Sequence, residues 1–188
     1  FNYTMQRLGC PLQKPLAIRR AVGFGDENLL KPFVYPKDLA KALLLYRRHH
    51  KQALVSGARL LPGVRGLLSK LKSKHLSLAV ASNRPTAFSW ILLRHLKIYP
   101  YFDYVLCADK LRFRKPHPQI LNKIRKHFSL KPEQAIYIGD MVIDIQAGQR
   151  ADIKTVAVTT GSNTIEELKK EKPSRIIKKI IDLLKLVL

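Results

Sequence analysis

Carboxylates are scarce in this chain. Its 188 residues hold 13 Asp plus Glu against 35 Lys plus Arg, a net charge of +22 at pH 7. An acidic, cation-buffering surface is therefore excluded, and any meeting of carboxylates is informative. Cysteine is almost absent. Cys10 and Cys107 lie far apart and fit no metal or redox spacing, so a disulfide framework is excluded. They read as two small buried residues in a reducing cytoplasm. The six histidines (His49, His50, His75, His95, His117 and His127) show no HxxxH spacing. No run of about 18 apolar residues occurs, so no transmembrane helix is expected. No basic segment followed by an apolar core opens the chain, so no signal peptide is expected. Together these predict a cytoplasmic protein without a membrane partner. Position 1 is Phe rather than Met, which points to processing or to a fragment.

What is present is enough for a core. A hydrophobic content of 46% argues against global disorder, and the length suits one domain with a small subdomain. The positive charge could serve an anionic partner such as nucleic acid, an anionic membrane or a phosphorylated substrate. It is spread over many segments, Arg47-Arg48, Lys70 to Lys74, Arg112 to Lys115 and Lys178-Lys179 among them, rather than gathered in one arm. No RNP, KH or zinc-finger pattern accompanies it. No specific nucleic-acid partner is expected, since charge alone gives only non-specific affinity.

The pattern changes along the chain. Residues 1 to about 60 read as helices with short breaks. Thr4 to Leu8 ends a first helix at Gly9, Gly23-Phe24-Gly25 forms a break, and Pro36 and Asp38 open a helix through Leu39, Ala42, Leu43 and Tyr46. From Leu61 onward strands alternate with helices. Pro62-Gly63 opens a helix through Leu71. Strands are predicted at Leu76–Ala81, Tyr104–Ala108, Ala135–Ile138 and Lys154–Val158. Helices are predicted near Pro85–Leu96, after Pro118 and across Asp144–Arg150, and the tail Ser174–Leu188 reads as an amphipathic helix docked on the core. Such alternation implies an α/β fold with a parallel sheet, helices on both faces and right-handed crossovers, functional residues gathering after the strands.

Three such places carry chemistry. Ser82, Asn83 and Arg84 follow the first strand and precede a helix, where a hydroxyl and free N–H groups favour an anion; they equally suit an ordinary N-cap. Lys115 lies in Lys115-Pro116-His117-Pro118, and two prolines stiffen the loop displaying it. A fixed ammonium there can neutralise phosphate and orient a carboxylate. Asp140 and Asp144 close an apolar run, Ile136-Tyr137-Ile138-Gly139-Asp140, whose glycine permits a tight turn. Two of so few carboxylates at one strand end suit Mg²⁺, which takes one or two protein carboxylates plus substrate phosphate; Asp144 also suits a helix cap.

A strand ending in Ser-Asn, then Lys-Pro, then a strand ending in Gly-Asp-x-x-x-Asp, resembles the haloacid dehalogenase-like superfamily. Leu8-Gly9-Cys10-Pro11, Ile18 to Gly23 and Val156 to Gly161 are similar to its phosphoglycolate phosphatase branch. The resemblance implies a Rossmann-like (Rossmannoid) parallel sheet, residues 61–188, with a small helical cap, residues 1–60. It implies that Ser82 and Asn83 bind the transferring phosphoryl group and that Lys115 stabilises charge on nucleophile and phosphate. Asp140 would be a direct Mg²⁺ ligand, with Asp144 supporting the metal or its waters. Arg19, Arg20 and the Gly23-Phe24-Gly25 loop are the cap residues that could face substrate. The implied activity is Mg²⁺-dependent hydrolysis of a small phosphorylated metabolite, 2-phosphoglycolate first. Phosphosugar mutase, pyrophosphatase and a non-catalytic basic binding protein are the alternatives.

One part of the family pattern is missing. Asp-x-Asp-Gly-Thr, which supplies the nucleophile and the acid/base, occurs nowhere in the sequence. Its strand would be the central first strand, between those of Ser82 and Asp140. Without it the sheet should carry a groove and unpaired backbone. Residues 1–188 alone are expected to fold poorly and to show no turnover, as from an amino-terminally truncated product. Asp152, where the family has Gly, should tolerate a left-handed backbone.

Overall fold

The computed structural model describes residues 1–187. Four helices come first: α1 (Asn2–Arg7), α2 (Pro15–Ala21), α3 (Asp26–Leu30) and α4 (Leu39–Gly57). Gly9 takes φ +66° just beyond α1, as its place after a helix requires. Pro15 starts α2 at its first turn, where the missing N–H is no loss. Met5, Leu30 and Ala42 are fully buried where α1, α3 and α4 meet.

The α/β part follows as α5 (Val64–Ser73), β1 (Ala79–Ser82), α6 (Thr86–His95), β2 (Tyr104–Cys107), α7 (Gln119–His127), β3 (Ile136–Gly139), α8 (Val142–Arg150), β4 (Lys154–Val158), α9 (Ile165–Lys170), β5 (Arg175–Ile177) and α10 (Leu184–Val187). All strand pairs are parallel, and the loops after β1, β3 and β4 meet at one rim. Asp152 stands at φ 57° after α8, the left-handed backbone foreseen for it.

Three features differ from the sequence reading. The first strand starts three residues late. The Leu78 N–H and C=O both engage Asp103, at 2.8 Å to its carboxylate and 2.8 Å from its amide, instead of a strand partner. The tail is not one helix, though Leu188 lies outside the described residues. Arg175–Ile177 joins the free edge of β4, in register with Val156–Val158; only α10 remains helical beyond a 3-10 turn at Ile180–Leu183. Two adjacent β-branched isoleucines fit an open ladder better than a short isolated helix turn. Helix α9 was not foreseen; Thr164 caps it by accepting from the Glu167 N–H at 3.2 Å, while Glu167 accepts from the Thr164 N–H at 2.9 Å.

The sheet itself is in two parts, β1-β2 and β3-β4-β5. Among the described residues no strand pairs with the other edge of β1 or of β3. Between these edges runs an apolar groove of about 410 Å³, lined by Leu78, Ala81, Leu121, Tyr137, Ile138 and Leu186 among others. All four residues of β1 and of β3 are partly exposed, whereas Val156, Ala157 and Val158 of β4 are buried.

Candidate functional site

The carboxyl ends of β1, β3 and β4 open into a second cavity of about 490 Å³, roofed by the amino-terminal helices. Ser82, Asn83, Lys115, Asp140 and Asp144 all line it, so the parallel topology brings together residues more than 60 positions apart.

Lys115 does not project into solvent from its proline loop. It is 8% exposed, and its three ammonium protons have three acceptors: Asp144 Oδ1 at 2.7 Å, the Tyr137 hydroxyl at 2.8 Å and the Ala81 carbonyl at 3.0 Å. The Tyr137 hydroxyl in turn donates to Asp144 Oδ1 at 2.9 Å. Burial, and then the Asp144 charge, push the Tyr137 hydroxyl well above its ordinary range, so it stays a donor. Asn83 fixes the loop. Its amide accepts from the Lys115 N–H and donates to the Lys115 carbonyl, each at 2.9 Å, and donates also to the Gly23 carbonyl at 2.9 Å. The Asn83 side chain is thus a splint between the lysine loop and the helical roof, a role absent from the sequence reading.

Asp144 is the third residue of α8 and reaches back over its start. Oδ2 accepts from the N–H groups of Asp140 and Met141, both at 3.1 Å. With Oδ1 taken by Lys115 and Tyr137, both its oxygens are engaged. Gly139 is needed for this fold-back rather than for a positive φ: a Cβ there would lie 2.2 Å from Asp144 Cβ. The Asp140 carboxylate, by contrast, has no side-chain hydrogen bond among the described residues. Burial first, and then Asp144, raise its pKa, with Lys115 opposing. A desolvated, unneutralised carboxylate gains most from a cation. Gly161 closes over it, since a Cβ there would strike the Asp140 carbonyl.

Ser82 accepts from the Arg84 N–H at 3.0 Å, leaving its hydroxyl proton free to donate into the cavity. Arg19 also lines the cavity and donates to the Gly161 carbonyl. Arg20 does not line it; it pairs with Glu167 at 2.5 Å on the outside. That guanidinium, then Asn163, holds the Glu167 carboxyl down to about 2. Only one of the two arginines therefore faces the site.

The roof contributes Asp26, Tyr46 and His50, none singled out from sequence. Asp26 accepts from Arg47 at 3.0 Å. His50 stacks on Tyr46 at 4.8 Å and meets Phe88 edge-on at 5.2 Å. Burial first, and then the Arg84 charge, hold His50 down to about 4. The loop Thr160-Gly161-Ser162 after β4 completes the wall; its place at a strand's carboxyl end was the available signal. Among the described residues no group of three or more His, Cys, Asp or Glu could hold a metal by itself. Asp140 alone fits a hard cation that takes its remaining ligands from water and substrate oxygen. No helix is long and apolar enough to cross a membrane among the described residues.

Comparison with known proteins bears on family and fold. Residues 1–158 match the family model described as haloacid dehalogenase-like hydrolase. A phosphoglycolate phosphatase of Nitrosococcus oceani is 31% identical over 187 residues, 95% of this chain and 83% of that one. The phosphoglycolate phosphatase of Escherichia coli K12 is 34% identical over 140 residues; the match spans 74% of this chain but 56% of the relative. Among solved structures, a predicted phosphoglycolate phosphatase from Haemophilus somnus superposes with TM-score 0.93 at 25% identity, over 100% of this chain and 88% of that one. A haloacid dehalogenase-like family hydrolase from Streptococcus pneumoniae gives TM-score 0.90 at 25% identity, with the same coverage.

Proposed function

The chain belongs to the haloacid dehalogenase-like hydrolases, and from that premise we propose that its rim cavity is the phosphate- and Mg²⁺-holding part of a phosphomonoester hydrolase site. The observation that carries this reading is Asp140: a half-buried carboxylate with its charge uncompensated, beside a free Ser82 hydroxyl and the ammonium of Lys115. Mg²⁺ at Asp140 would neutralise phosphate charge. The protein's own residues do the rest. Ser82 donates to a phosphate oxygen, and the Lys115 ammonium, held in place by Asp144, Tyr137 and the Ala81 carbonyl, lines the same cavity. The roof, residues 1–60, excludes water and limits substrate size. Asp144 acts here by holding Lys115 and the start of α8, since both its oxygens already have partners.

The substrate proposed first is 2-phosphoglycolate, in the cytoplasm, on the strength of the similarity to phosphoglycolate phosphatases. No Asp-x-Asp pair exists within residues 1–188, so the nucleophilic carboxylate that the family mechanism calls for is not among them. These residues alone should bind phosphate with Mg²⁺ and release none from an ester.

Thermal unfolding in MgCl₂ and orthophosphate tests the binding half. At about a hundred times the dissociation constant, the ligands should stabilise the chain by about 2.7 kcal/mol, and Asp140→Asn should abolish the Mg²⁺-dependent part. An equal Mg²⁺ response in Asp140→Asn would remove Asp140 as the cation site. Phosphate release from 2-phosphoglycolate above the Asp140→Asn background would show that residues 1–188 carry a nucleophile of their own.

A further inference from the structure

The two arginines of α2 land on one stretch of the core. Arg19 donates to the Gly161 carbonyl and Arg20 pairs with Glu167, so consecutive roof residues grip the segment running from β4 into α9. The inner side of that segment touches the start of α8. The Asn163 side-chain oxygen accepts from the Val142 N–H at 3.1 Å, and its nitrogen donates to Glu167 Oε2 at 2.9 Å. Val142 opens α8, where N–H groups lack helical partners. Asp144 covers those of Asp140 and Met141, and Asn163 supplies the acceptor for the next. Gly161 is pressed against the same loop: a Cβ there would lie 2.0 Å from the Asp140 carbonyl oxygen. A line of contacts therefore runs from the roof through Arg20, Glu167, Asn163 and Val142 to the loop of Asp140. Glu167 is its joint. One oxygen takes Arg20, and the other takes Asn163 and the Thr164 N–H. The opposite side of the roof is fastened differently, by Asn83 to the Gly23 carbonyl and Arg114 to the Phe24 carbonyl. Among the described residues, Arg20–Glu167 is the one salt bridge between residues 1–60 and the rest.

We propose that Glu167 is a positioning residue with two arms: its ion pair with Arg20 latches α2 over the rim cavity, and its bond to Asn163 ties the latched roof to the start of α8 beside Asp140. The second arm rests on the phosphate-site reading above, which names the ligand that feels the latch. An exposed ion pair adds little to global stability. Its effect falls instead on local opening of the roof, which costs far less than unfolding. Salt screens such a pair, so the latch loosens as ionic strength rises.

Glu167→Gln is the clean variant. Glutamine still accepts from the Thr164 N–H, so the capping box of α9 survives and only the charge is lost. Two readouts on residues 1–188 decide the matter: amide hydrogen exchange of α2 without ligand, and the dissociation rate of orthophosphate in MgCl₂ by ³¹P exchange spectroscopy. Both should rise about two- to five-fold in Glu167→Gln, the scale of an exposed pair, with the urea midpoint unchanged. Arg20→Gln should match it, and the double variant should add nothing further. Raising NaCl from about 0.05 to about 0.5 M should speed α2 exchange in the wild type and leave Glu167→Gln unmoved. Unchanged α2 exchange in Glu167→Gln, or full additivity in the double variant, overturns the latch. Faster α2 exchange with an unchanged orthophosphate rate overturns the tie to Asp140. A lowered urea midpoint makes Glu167 a structural cap and refutes the positioning role. No orthophosphate binding to the wild type sinks the phosphate-site reading and the second arm with it, while α2 exchange still decides the first.

Discussion

Two cavities flank the same pair of strands, and they are nearly equal in size: about 490 Å³ at the strand ends and about 410 Å³ between the strands. The rim cavity is lined by Ser82, Arg84, Lys115 and Asp140; the groove is lined by Leu78, Leu121, Ile138 and Leu186. The first is organised by polar contacts that leave particular groups free. The second is lined mainly by apolar side chains and, among the described residues, leaves sheet edges unpaired. The rim cavity holds an Asp140 carboxylate without a side-chain hydrogen bond among the described residues, whereas the groove holds unpaired strand edges. Lys115 joins them: its ammonium donates to the Ala81 carbonyl of β1 and to Asp144 at the rim.

The largest effect should come from breaking that joint. Asp144→Ala would strand the Lys115 ammonium in a buried site and remove the fold-back over α8, destabilising the chain by about 3–5 kcal/mol in urea titration. A loss under about 1 kcal/mol would mean that Lys115 finds water, and that the rim is far wetter than its hydrogen bonds imply.

Enlarging side chains should separate groove from closed core. Ala157→Val adds two methyl groups to a position with no exposure and should cost about 1–3 kcal/mol. Ala81→Val adds them beside the groove and should be neutral or stabilising by up to about 1 kcal/mol, since methyls gain contact without displacing neighbours. Equal losses at both would show that the groove closes in solution.

At the rim, Ser82→Ala should weaken orthophosphate about ten-fold, as loss of a hydrogen bond to a charged group implies, while changing the urea midpoint little. A parallel loss of stability would make Ser82 a structural cap instead.

The smallest effect is titration of the roof. His50 has a folded pKa of about 4, below its ordinary 6.5. Between those values the unfolded chain binds more protons, so the His50 contribution to stability is complete above about pH 6.5 and is lost as pH falls toward 4. Asp26 on α3, Arg84 on the core side, His49 and the terminal amine all act on the same ring. His50→Gln should flatten the acid limb of the stability profile over that window; an unchanged limb would place the pH dependence elsewhere.

Much of the site was legible in sequence because strand ends concentrate function. Ser82 and Asp140 stand where apolar runs meet loops, Lys115 stands in a proline-stiffened loop, and all three line one cavity. What each does was less legible. Asp144, expected to support a metal or its waters and to cap a helix, is held by Lys115, Tyr137 and two backbone N–H groups, the first two being contacts its place in the sequence did not announce. Arg19 and Arg20 are neighbours in sequence but point to different surroundings, which helix geometry alone could not assign. Tyr137, Tyr46 and His50 sat inside apolar or helical runs and gave no local signal. The tail misled for a related reason: Arg175–Ile177 becomes a strand because β4 has a free edge to offer, a non-local partner that periodicity cannot see.

By itself the sequence determined the order of elements through β4 and the chemical types at the strand ends. Both follow from local preferences: side-chain period, prolines and glycines at boundaries, and the rarity of carboxylates. Tertiary structure decided which charges are matched and which are left over. Among the described residues Asp144 is paired and Asp140 is not; Lys115 is satisfied and Arg84 Nη1 is not. Pairing is a property of distance and burial between segments far apart in the chain, so it exists only once the sheet has brought β1 and β3 to the same rim.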